Sequence, residues 1–121
     1  MSRIINWFEI PVTDMDRAIR FYSTILDKTI EKAQIGMPYA FLPMEPDEVG
    51  GALAQSEDHV PSTRGVLIYL SGGDDLSGVL SRVEAAGGSI LAPKTVIGGG
   101  MGYYALFLDS EGNRIGVHSM H

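Results

Sequence analysis

Two stretches of the chain carry the same order of hydrophobic and polar positions. In "NWFEIPV", Phe8, Ile10 and Val12 form one apolar row while Ile5, Trp7, Glu9 and Pro11 form the opposite row, because successive side chains on a strand point opposite ways. The following "TDMDRAIRFYSTILDK" changes period. Ala18, Phe21, Tyr22 and Ile25 recur at i, i+3, i+4 and i+7, and Thr13 or Asp14 can cap the start, which predicts an amphipathic helix. After "GVLIYL", the segment "SGGDDLSGVLSRVEAAGG" repeats the device. Asp74 or Asp75 is the cap, Leu76, Val79, Leu80 and Val83 form the apolar stripe, and Gly87 is the stop. The strands after each helix match as well. Tyr39 to Ser56 aligns with Tyr104 to Ser119, each reading as an apolar strand, an acidic turn and a closing strand. The pattern is a duplicated βαβββ unit, with repeats over about 1–58 and 61–121 of a single domain spanning 1–121.

The "PVTDMDRAIRFY" opening and the "GYYALFLDSEGNRIGVHS" ending, set in two βαβββ units, resemble the glyoxalase / bleomycin-resistance / extradiol dioxygenase superfamily, the vicinal oxygen chelate proteins. The resemblance implies an α+β fold of two tandem βαβββ modules whose sheets form a curved, partly open barrel around a cavity. It also implies a homodimer that completes the cavity across its interface.

Alternation then predicts which side chains face that cavity. Trp7 and Glu9 do so in the first strand, and Gly65, Leu67 and Tyr69 in its repeat mate, where Val66, Ile68 and Leu70 take the buried row. Gly51 and Leu53 are expected to face inward in one closing strand, and Gly116 and His118 in the other. Glu9 and His118 thereby break the repeat, standing where the other half has Leu67 and Leu53. A carboxylate or imidazole directed inward needs a partner, which could be the other residue of the pair, a ligand, or Arg3 or Arg114 in the case of Glu9. With Trp7, Tyr39, Leu53, Leu67, Tyr69 and Tyr104, they form the expected ligand-binding set.

Composition narrows the chemistry. The 121 residues include no cysteine, so thiolate sites and disulfides are excluded. A net charge of −6 and a pI near 4.8, with no basic cluster, argue against nucleic acid. No apolar run reaches the roughly 20 residues of a membrane span, and the expectation is a soluble cytoplasmic protein. The resemblance puts the family's divalent ion at positions corresponding to Trp7, Gly51, Gly65 and Gly116, none of which has a metal-binding side chain. The expectation is therefore no resident metal; the alternative is a displaced site built from Glu9, His118, Glu57 or His59. "DMD" (14–16) reads as helix-start charge, "DSEGN" (109–113) as turn chemistry, and "GGG" (98–100) as a flexible connection able to act as a lid.

Two function classes follow. One is a protein that holds a small molecule in its cavity. The other is an enzyme, a glyoxalase-like lyase, isomerase or dioxygenase, working through a displaced metal or through Glu9 and His118 as an acid and base pair. The lining residues do not select a substrate.

Overall fold

The computed structural model describes residues 4–121, and Arg3 lies outside the described residues. The chain folds as β1 (Trp7–Pro11), α1 (Met15–Leu26), β2 (Lys32–Gln34), β3 (Pro38–Phe41) and β4 (Gly50–Ala54). The order then repeats as β5 (Tyr69–Ser71), α2 (Ser77–Ser81), β6 (Ser89–Val96), β7 (Tyr103–Leu108) and β8 (Arg114–Ser119). Each module makes its own four-stranded open sheet. The strand orders are β1-β4-β3-β2 and β5-β8-β7-β6, and in each the first strand runs parallel to the closing one.

The first helix forms as its spacing predicts. Asp14 caps it by accepting from the Arg17 N–H at 3.1 Å, while Ala18, Phe21, Tyr22 and Ile25 are buried. The second is shorter than its stripe. Gly78 weakens its first turn, and the N-cap position falls on Leu76, which has no capping side chain, and not on Asp74 or Asp75, although Asp75 still accepts from the Ser77 N–H at 2.9 Å. Just beyond Ser81 the bonds of Arg82 and Val83 tighten to i→i−3, as in Arg82 N–H to Val79 at 3.1 Å. One core joins both modules, with Ile10, Val12, Phe21 and Leu53 packed in the same cluster as Leu76, Val83, Phe107 and Val117.

The register corrects one inward assignment. In β1–β4, Ile10 pairs with Leu53 and Phe8 with Gly51, so both β4 residues share the core face, and Leu53 is fully buried there. A Cβ on Gly51 would meet the Phe8 ring. The β4 residues beside Trp7 and Glu9 are instead Gly50 and Ala52. A second correction concerns the stretch before β5. Val66 is 93% exposed, Gly65 sits in a loop at φ +95°, and Leu67 is half-buried outside any regular strand. A continued parallel ladder would use the Arg114 N–H there, but that group donates to the Ser62 carbonyl, and pairing starts only where Gly116 N–H reaches Ile68.

The hairpin between β7 and β8 ties the modules together. Asn113 donates to the Pro11 carbonyl at 2.8 Å and accepts from the Ser62 N–H at 3.1 Å. Glu111 caps the start of α1 from the other module, accepting from the Thr13 and Asp14 N–H groups, each at 2.9 Å.

Candidate functional site

On one face of the second sheet, strand register lines up one row of polar side chains. Thr95 pairs with Tyr104, Tyr104 with His118, and His118 with Ser71, so a single rung crosses all four strands. The next rung places Gly116 beside Tyr69, and a Cβ at position 116 would strike the Tyr69 ring. Tyr69, Ser71, Thr95, Tyr104 and His118, with Val96, Ile97 and Met120, line a cavity of about 940 Å³. His118 is oriented within it. Its Nε2 lies 2.7 Å from the Met101 carbonyl and must donate there, which leaves Nδ1 as the nitrogen free to meet a ligand. Met101 belongs to the Gly98–Gly102 loop, whose glycines 98, 99, 100 and 102 all have positive φ; His118 thus fastens the segment expected to act as a lid.

Glu9 belongs to a different network. Its Oε2 accepts from the Tyr39 hydroxyl at 2.7 Å, and Tyr39 in turn accepts from Trp7 Nε1–H at 2.9 Å. Its Oε1 is bonded by His59 Nε2 at 2.7 Å, and the other ring nitrogen of His59 lies 2.6 Å from Ser56 Oγ. Hydrogen bonds from Tyr39 and then His59 lower the Glu9 carboxyl from its usual range, so it is ionised at neutral pH. Arg114 lines a cleft of about 240 Å³ with Glu9 between the modules, but the side chain that bonds the remaining Glu9 carboxylate oxygen is His59.

The expected site residues therefore separate into two groups. Trp7, Glu9 and Tyr39 are joined on the first sheet, while Tyr69, Tyr104 and His118 are joined on the second. Glu9 and His118 bond different partners and not each other. Leu53 belongs to the core and Leu67 to neither network. Ser71 and Thr95, absent from the expected set, follow from strand alternation once register is known. His59 and Ser56 lie in the connection after β4, where no periodicity points to them.

The four positions assigned to the family's ion do not fit one. Trp7 offers an N–H donor already engaged, Gly116 and Gly65 offer no side chain, and Gly51 faces the core. The cavity-side alternatives, Gly50 and Ala52, offer no donor either. Of the displaced candidates, Glu9 and His59 are adjacent, Glu57 is exposed, and His118 is on the other sheet. Among the described residues, no three His, Asp or Glu side chains form a group able to hold a metal. No helix among them is long and apolar enough to cross a membrane.

A family model described as Glyoxalase/Bleomycin resistance protein/Dioxygenase superfamily matches residues 4–117. A glyoxalase/bleomycin resistance protein from Albidiferax ferrireducens superposes with a TM-score of 0.73 at 15% identity, covering 95% of this chain and 97% of that one. The genomically encoded fosfomycin resistance protein FosX from Listeria monocytogenes gives 0.67 at 14% identity, with 98% and 94% covered. The E144Q mutant of glyoxalase I from Zea mays gives 0.72 at 19% identity over 94% of this chain, which spans only 44% of the maize chain. At these identities the likeness is one of fold. No curated protein matches the chain.

Proposed function

The chain belongs to the Glyoxalase/Bleomycin resistance protein/Dioxygenase superfamily, and on that premise we propose that it binds a small organic molecule on the open faces of its sheets, without the family's usual divalent ion. The observation that carries this reading is the second-sheet cavity. Its volume of about 940 Å³ falls within the few hundred to 1,000 Å³ range of small-molecule sites, and its lining is largely apolar with a few convergent polar groups. His118 Nδ1, the Tyr69 and Tyr104 phenols, Ser71 and Thr95 supply orientation, and Val96, Ile97 and Met120 supply apolar contact. The reading includes a homodimer that closes the open faces, because Trp7, Phe41, Tyr69, Val96 and Ile97 are all exposed large side chains on a single copy.

The hydrogen bond between Glu9 and His59 favours a second reading, an acid–base enzyme of the lyase or isomerase type. Against it stands the direction of the carboxyl's shift. A base that takes a proton near neutral pH is tuned upward, and Glu9 is moved downward by its two donors.

Native mass spectrometry of the untagged protein as purified tests the proposal. The expected spectrum is a dimer without a stoichiometric divalent ion, and a co-purified organic adduct identifies the compound class. A stoichiometric ion overturns the metal-free reading. For any ligand so found, His118→Ala is expected to weaken binding about tenfold, the equivalent of one hydrogen bond of about 1.4 kcal/mol, as measured by calorimetry; unchanged affinity removes the second-sheet cavity from the site.

A further inference from the structure

The first-sheet face has a chemistry of its own. Trp7, Glu9 and Pro11 project from β1, Gly50, Ala52 and Ala54 from β4, and Tyr39 and Phe41 from β3, as the register of the three strands requires. The middle strand is a floor of small residues, which leaves the room above it to the flanking side chains. Three aromatic rings stand at steep angles on that floor. Trp7 and Phe41 meet edge to face at 5.9 Å and 73°, and Tyr39 and Phe41 at 5.4 Å and 78°, which makes a corner of ring walls instead of a flat stack. Trp7 and Phe41 remain 38% and 42% exposed, so ring surface is available to a ligand. The Glu9 side chain beside them is 36% exposed.

The direction of the hydrogen bonds decides what this corner can recognise. Trp7 spends its N–H on the Tyr39 oxygen, Tyr39 spends its O–H on Glu9, and His59 is bonded to the other carboxylate oxygen. Both aromatic donors are thus consumed, and what the face offers outward is carboxylate lone pairs and π surface. An anion finds no free donor there from either ring. A cation finds a negative oxygen with lone pairs to spare and the negative faces of aromatic rings. His59 does not have to carry a charge for this arrangement: with Ser56 Oγ accepting from the Asp58 N–H at 3.1 Å and donating its own proton to Nδ1, a neutral imidazole satisfies every bond. The chain's net charge of −6 adds a favourable long-range field.

We infer that the corner formed by Trp7, Tyr39, Phe41 and Glu9 is a binding site for an organic cation, an amine held as its ammonium with an apolar or aromatic body. The inference rests on the small-molecule reading above and names the ligand class for the first-sheet half of the site.

Trp7 is the sole tryptophan, so its fluorescence reports on the corner directly. Three probes share one skeleton: 2-phenylethylammonium, 2-phenylethanol and phenylacetate. The expected result is saturable quenching by the ammonium with at least tenfold tighter binding than the alcohol, and no saturation with phenylacetate. Glu9→Gln is expected to bring the ammonium and the alcohol to similar affinities, and Phe41→Leu, which leaves the carboxylate untouched, to weaken the ammonium severalfold. Equal binding of ammonium and alcohol to the unaltered protein overturns the cation assignment while leaving the small-molecule reading intact. Saturation by none of the three overturns the corner as a site, and a ligand whose binding depends on His118 but not Glu9 places the small-molecule function on the second sheet alone.

Discussion

Asp109→Ala is expected to cost about 3–5 kcal/mol of folding stability, a large share of the 5–15 kcal/mol typical of a whole domain. Asp109 is 3% exposed and accepts four hydrogen bonds. They come from the Tyr22 hydroxyl at 2.6 Å, the Asn113 side chain at 2.9 Å, and the backbone N–H groups of Glu111 and Asn113 at 2.8 and 2.9 Å. Truncation leaves those donors facing an apolar void, and an unmatched buried donor costs about 1–3 kcal/mol. Tyr22, fully buried, loses its acceptor from the far module. The loss also reaches Asn113, which Asp109 holds in position to bond Pro11 and Ser62. Tyr22→Phe removes one donor and keeps the ring, so it is expected to cost about 1.5–3 kcal/mol. Urea denaturation of both variants checks the ordering, and an Asp109→Ala loss below about 1 kcal/mol would show that the hairpin is not the tie between the modules.

That same hairpin explains which parts of the architecture are legible in sequence. Asp109, Gly112 and Asn113 are recognisable turn chemistry, and the α1 stripe of Ala18, Phe21, Tyr22 and Ile25 is buried as its spacing demands. The inward face of β4 is not legible. In Gly50-Gly51-Ala52-Leu53-Ala54 every residue is small or apolar and every one is buried, so alternation has no contrast to report and only pairing with β1 fixes the face. "GVLIYL" fails for the opposite reason. Its composition favours a strand, yet the Arg114 N–H that would pair Val66 is taken by Ser62, and the stretch stays irregular until Tyr69.

For the candidate site, period-2 reasoning brings out Trp7, Glu9, Tyr69 and His118, because each lies on a strand, while Tyr104 enters the expected set as an aromatic residue without a face assigned to it. The same reasoning does not reveal the pairings, although Tyr39 stands in the expected ligand-binding set and His59 among the displaced-metal candidates. His59 reaches Glu9 across 50 positions from a loop with no period, and Tyr39 reaches it across 30 from another strand. A repeat-breaking polar residue signals that a partner exists, and it carries no information on which residue that partner is.

Glu111→Gln is expected to lower stability by about 2 kcal/mol at neutral pH, and the deficit is expected to close in acid. Glu111 lies at the N-terminus of α1, where four donors meet its Oε1: the Thr13 and Asp14 N–H groups, the Thr13 hydroxyl, and Arg17 Nη2 at 3.0 Å. Arg17 Nε bonds Oε2 at 2.8 Å. Burial alone would raise the carboxyl, but these hydrogen bonds outweigh it and hold the pKa at about 2, against an ordinary 4.5. At 1.36 kcal/mol per unit the difference would be worth about 3 kcal/mol, and the half-exposed Arg17 partner reduces it to about 2 kcal/mol. The sign follows from the depressed folded value. The contribution is fully present above the unfolded pKa and is lost as pH falls through about 4.5 toward about 2, where both states hold the proton. Denaturation of the two proteins at a series of pH values should therefore give curves about 2 kcal/mol apart at neutral pH that converge near the low end. A constant gap would mean that the glutamine fails for packing reasons and that Glu111's charge is not what fastens the second module to the first helix.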